Sequence, residues 1–120
     1  TFINLQYKDY ADDLAKVKDE FGVTVHNFED LDQWNNIDDV AALCAALDMV
    51  TTNHGTVPLI SAGVGTSTKL ANWKQSPWNT ILNNPRGPLV DIFERNTWEP
   101  WDIVFNLIRD EILIQKKMEL

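Results

Sequence analysis

The chain predicts an α/β fold, a parallel sheet with flanking helices. Two observations carry this. Short β-branched or apolar runs alternate with longer stretches at helical spacing. Glycines and capping residues mark the ends of those stretches. Strands that alternate with helices lie side by side in one direction, joined by right-handed crossovers.

Phe2 to Gln6, apolar with polar breaks, is the first predicted strand. Asp9 caps a helix from Tyr10 to Phe21, with Tyr10, Leu14, Val17 and Phe21 as its stripe. Gly22 follows at the usual C-terminal position. Val23 to His26 is a β-branched second strand, and a polar loop from Phe28 to Ile37 carries Trp34. Asp38 caps the next helix, whose apolar face is Val40, Leu43, Cys44 and Leu47. Met49 to Thr52 is the third strand. Thr56 caps a helix to about Ala62, with Pro58 in its first turn and Gly63 and Gly65 at its end.

Thr68 to Asn72 is the fourth strand, followed by a Trp-, Asn- and Pro-rich loop from Trp73 to Pro88. Ser76-Pro77 suits the start of one short helix there. Leu89 to Glu94 is the fifth strand. Thr97 caps a last helix with Trp101, Val104, Phe105, Ile108 and Ile112 on one side. Lys116 and Lys117 near its end suit the helix dipole, and Trp98 and Trp101 are expected in the core.

A chain of 120 residues suits one domain, residues 1–120, with one core. Its net charge of −8 argues against nucleic acid and against an anionic membrane surface. Cys44 is the single cysteine, set in an apolar helical run, which predicts a small buried hydrophobe and a reducing, cytoplasmic setting. No apolar run reaches the ~18 residues of a membrane span. The acidic stretch Glu29-Asp30-Leu31-Asp32 lacks the glycine and terminal Glu of a calcium loop, so a solvated loop is expected and no metal. The abrupt apolar start suggests a fragment of a larger chain and leaves open whether a first strand of the sheet is missing. An open sheet edge would then invite a homodimer.

The candidate site is the stretch Asp48 to Pro58. It reads as a buried strand, a polar tip with His54 and Gly55, then a helix start. Such turns bind phosphorylated ligands, because N–H groups and the helix dipole attract anions. Thr56 offers a hydroxyl and an N–H, and a protonated His54 would offset phosphate charge. His26, within a strand, and Asp91 and Glu94 are expected to be structural or surface residues. Trp73 and Trp78 suit either stacking on a sugar or base, or packing.

Several segments resemble the C-terminal domain of GT-B glycosyltransferases, in particular the heptosyltransferase-like group often fused to tetratricopeptide repeats in bacteria. The carrying residues are Phe2 to Tyr7, Phe21 to Val25, Asp38 to Leu43, Ala46 to Val50 and Leu59 to Gly65, with Trp73 and Ser76-Pro77-Trp78 in a later loop. The likeness is good over residues 2–65 and loose over 66–115. It implies a Rossmann-like half of a GT-B fold that binds a nucleotide-diphosphate sugar, without a cofactor. The implied donor-binding residues are Asn53, His54, Gly55, Thr56 and Val57 at the diphosphate, and Gln6, Tyr7 and Phe28, beside Asn27, at the base or ribose. The family's catalytic base generally lies in the N-terminal domain, so no catalytic residue is assigned and this segment alone is not expected to turn over.

This chain departs from the family in two places. Asn53 and His54 stand where the family carries Asp-Thr or a similar pair, and Pro58 stands where the family has a histidine. The alternative is therefore a non-enzymatic α/β interaction module that has lost the donor site. A receiver-like domain fits less well, because the strand ends are Gln6, Asn27 and Asn53 rather than an acidic cluster with a lysine.

Overall fold

All paired strands run parallel, as the alternation of strand and helix predicts. The computed structural model describes residues 1–77 and 90–118. The elements are β1 (Phe2–Ile3), α1 (Ala11–Phe21), β2 (Val25–His26), α2 (Ile37–Ala46), β3 (Met49–Thr52), α3 (Thr56–Gly63), β4 (Ser67–Trp73), β5 (Val90–Arg95) and α4 (Asp102–Met118). They fall into two compact units, Thr1–Leu43 and Cys44–Leu120. The expected loop from Trp73 to Pro88, the short helix after Ser76-Pro77, Trp78 and Leu89 lie wholly or partly outside the described residues.

In the first unit β1 pairs with β2, Phe2 opposite Val25 and Ile3 opposite His26. Both strands are shorter than predicted. Asn4 ends β1 because its side chain turns back on the chain: Oδ1 accepts from the Gln6 N–H at 3.0 Å, and Nδ2 donates to the Gln6 carbonyl at 2.9 Å. Asp9 does not cap α1. It sits at φ 56°, and Tyr10 takes the cap position without a side-chain bond. Asp12 and Asp13 still place negative charge in the first turn. Gly22 closes α1 as predicted, at φ 66°, its N–H bonding the Lys18 carbonyl. Phe21, expected on the buried stripe, is exposed in the last turn.

The cap of α2 is Asn36, not Asp38. Asn36 Oδ1 accepts from the Asp39 N–H at 3.1 Å, and Asn36 Nδ2 donates to the Asp39 carboxylate at 2.8 Å. Asn36 thus caps the helix two residues before the predicted cap, and its side-chain amide ties it to the first turn. Val40 and Cys44 are buried and Leu43 and Leu47 half-buried, as the apolar face predicts.

The second unit holds the sheet β3-β4-β5, with β4 central. Val50, Leu70 and Ala71 are buried in it. Successive strand residues face opposite sides, and each side of β4 carries a helix. On one side Ser61 of α3 meets Thr68, hydroxyl to hydroxyl at 2.7 Å. Thr68 donates its only proton to the Thr66 carbonyl, so Ser61 is the donor of the pair. On the other side Ala71 packs with Val104 and Ile108 of α4, joined by Phe93, Trp101 and Ile112.

Two expectations at the end of the chain are corrected. Thr97 does not start α4. Glu99 accepts from the Asn96 N–H and side-chain amide at 2.8 and 2.9 Å, which closes a separate turn, and Pro100 then delays the helix to Asp102. Trp98 rides on that turn and is 77% exposed, not core. Phe105 is exposed as well, while Trp101 does pack on the core. Lys116 and Lys117 occupy the last turn of α4 as predicted. Among the described residues no helix is long and apolar enough to cross a membrane.

Candidate functional site

The C-terminal ends of parallel strands are where open α/β sheets bind ligands. In the second unit these ends are Thr52, Trp73 and Arg95. Met49 to Thr52 forms the predicted strand, and Asn53 to Gly55 makes the tip. Thr56 is the first helical residue rather than the cap. Gly55 takes the cap position at φ 147°, ψ −156°, a conformation essentially reserved for glycine. A side chain needs a Cβ there, and the space a Cβ would enter is open to 4 Å.

The first-turn N–H groups of α3 have no intrahelical partner by construction. Pro58 lacks one, so Gly55, Thr56 and Val57 supply the donors. No acidic residue stands in that turn to repel an anion. Asn53 and Thr56 are exposed, and His54, Gly55 and Val57 are half-buried.

His54 packs on the end of β4. Its ring meets Trp73 edge-on, centroids 4.9 Å apart and planes at 87°. Its Nδ1 is buried with no hydrogen-bond partner among the described residues. Two further polar atoms at the strand ends share that condition, Ser76 Oγ and Arg95 Nε. Trp73 links all three residues. Its carbonyl accepts from the Ser76 N–H at 3.1 Å, and it stands opposite Arg95 in the β4–β5 register.

Arg95 also organises its own turn. Nη1 donates to the carbonyls of Asn96, Thr97 and Glu99 at 2.7–3.0 Å, and the guanidinium lies 4.0 Å over the Trp101 ring. The Asn96 N–H, then the Asn96 side chain, hold the Glu99 carboxyl below its usual range. Sequence reasoning missed Arg95 and treated Ser76 as a helix start and as part of the stretch that resembles the family's later loop, not as a site residue. A basic residue closing a strand was the available signal for Arg95. No sequence signal marks Ser76, whose 4% exposure depends on tertiary packing.

Gln6, Tyr7 and Phe28 belong to the first unit and Asn53 to Val57 to the second. Gln6 spends its side-chain amide on the Lys8 carbonyl at 2.9 Å. Asn27 bridges the Asn4 amide and the Tyr10 hydroxyl at 3.0 Å each. Tyr7 packs on Trp34, centroids 4.7 Å apart, and both rings are exposed, as is Phe28. His26 is exposed on β2. Cys44 is fully buried, and burial pushes its thiol up from the ordinary value. Among the described residues no group of three His, Cys, Asp or Glu is placed to hold a metal ion.

The chain is 35% identical over 104 residues to Protein FlbA of Caulobacter vibrioides. That match takes in 82% of this chain and 17% of the relative, so the chain spans less than a fifth of that protein's length. No family model and no solved structure matches the chain.

Proposed function

We propose that this chain is the donor-binding part of a GT-B glycosyltransferase and takes a nucleotide-diphosphate sugar at the tip of residues 53–57. The observation that supports this most is Gly55. It joins β3 to α3 in a glycine-only conformation with open space beside it, in front of the free N–H groups of a helix. The diphosphate lies on Thr56 and Val57, and His54 and the Thr56 hydroxyl flank it. The acceptor and the catalytic base belong to the rest of a cytoplasmic bacterial enzyme with tetratricopeptide repeats, and an open strand edge pairs two copies.

One observation favours the alternative, an interaction module that has lost the donor site. The His54 ring already lies against Trp73, so protein atoms occupy part of the tip. A thermal-shift screen of the full chain against nucleoside diphosphates and their sugars separates the two. A ligand at a hundred times its Kd adds about 2.7 kcal/mol. A shift with one nucleotide that is lost in Gly55→Trp supports donor binding. No shift with any of them leaves the interaction module. A monomer by light scattering rules out the paired edge.

A further inference from the structure

The first unit carries a second feature, independent of the tip. Phe28, Asp30 and Leu31 of the loop and Asp39 and Leu43 of α2 line an open groove of about 300 Å³. Asp39 and Leu43 are four residues apart, so they share one face of the helix. The floor is apolar, with Phe28 half in solvent. The rim is acidic.

The charge around it is one-sided. From Asn27 to Leu43 there are five carboxylates and no lysine or arginine. The three lysines of the first unit stand elsewhere: Lys8 over the Tyr7 ring, Lys16 near Glu20, and Lys18 on the Thr24 hydroxyl. Asp30 has no ion pair or hydrogen-bond partner among the described residues. Asp39 gives one carboxylate oxygen to the Asn36 amide.

The walls are preformed. Asp32 accepts from the N–H groups of Trp34 and Asn35 at 3.1 and 3.0 Å and from the Asn35 amide at 2.9 Å. Those bonds fix the loop after Leu31, the Leu31 N–H on the Phe28 carbonyl at 3.1 Å ties the two floor residues together, and Asn36 caps α2. An apolar floor attracts an apolar side chain. Carboxylates at its rim with no cation of their own select a cation beside that side chain and repel acidic segments.

We propose that this groove docks a basic segment of a partner protein, one that sets a large apolar side chain between lysines or arginines. The apolar side chain enters between Phe28, Leu31 and Leu43, and the flanking cations meet Asp30 and Asp39.

The test is fluorescence polarisation of the full chain with a labelled peptide of alternating lysine and leucine. Its glutamate counterpart is the control probe. The variants are Asp30→Asn with Asp39→Asn, which keep the size and the Asn36 contact, and Phe28→Ser for the floor. Glu111→Gln on α4 is the distant control, and circular dichroism checks folding of each. The expected result is saturable binding of the basic peptide only, at least fivefold weaker in the double variant and in Phe28→Ser, and unchanged in Glu111→Gln. No binding, or equal weakening by Glu111→Gln, overturns the proposal, the second outcome marking attraction to overall charge alone.

Discussion

His54 and Trp73 lock the end of β3 to the end of β4, edge to face at 4.9 Å. The two residues come from different strands and meet where the sheet ends. An aromatic pair of this geometry adds roughly 0.5–1.5 kcal/mol beyond area burial. His54→Ala should therefore lower unfolding stability by about 1 kcal/mol. Urea denaturation followed by Trp fluorescence reads this directly. An unchanged midpoint and slope would mean that the contact contributes nothing.

Gly55→Ala should cost about 1–3 kcal/mol through backbone strain alone. The cause is φ 147°, not crowding, because nothing stands within 4 Å of the added Cβ. Gly63→Ala is the comparison, a helical glycine without positive φ and with equal open space. It should be neutral or slightly stabilising in the same denaturation experiment.

Thr68→Val removes the acceptor that Ser61 uses inside the fold. The buried Ser61 hydroxyl then has no partner, at a cost of about 1–3 kcal/mol. Ser61→Ala with Thr68→Val should cost less than the sum of the single changes. A double-mutant cycle measures that coupling, and strict additivity would contradict the pairing.

The Glu99 turn predicts a pH dependence with a definite sign. Hydrogen bonds from Asn96 hold the folded carboxyl below its ordinary value. Its stabilising effect is therefore complete above the ordinary glutamate range and is lost as pH falls through the lower, folded value. Wild type should exceed Glu99→Gln in Tm near neutrality, and the gap should close in acid. A gap constant from neutral to acidic pH would exclude the carboxylate as the cause.

Cys44 should resist modification in the native state. It is fully buried and its thiol is pushed up, so little thiolate is present or reachable. Reaction with a thiol reagent should be slow in buffer and fast in urea.

The second unit was the more legible in sequence. Met49 to Thr52 stands at its predicted bounds, and the fourth strand exceeds its prediction by one residue at each end. Their apolar and β-branched runs are bounded by clear breakers. The caps were less legible, because Asn36 and Asp38 are both competent and only the Asp39 partner decides between them. Side-chain capture of the backbone also hid the early end of β1, where the Asn4 N–H makes a last bond to His26 and its side chain binds the Gln6 backbone. At the site, Gly55 was visible as a glycine at a tip. The meeting of His54 with Trp73, nineteen positions along the chain, depends on the pairing of β3 with β4 and has no local signature.

Lys69 stands in the central strand, 6% exposed, opposite Asp91 in the β4–β5 ladder, and the two form an ion pair. Sheet side chains alternate with period two, so sliding β5 by one position would put Val90 or Ile92 against that ammonium and turn Asp91 to the opposite face. A buried cation without its carboxylate is expensive. The pair therefore works as a notch and key. It sets which residues of the last two strands meet, and so fixes Trp73 opposite Arg95 at the end where the candidate site lies.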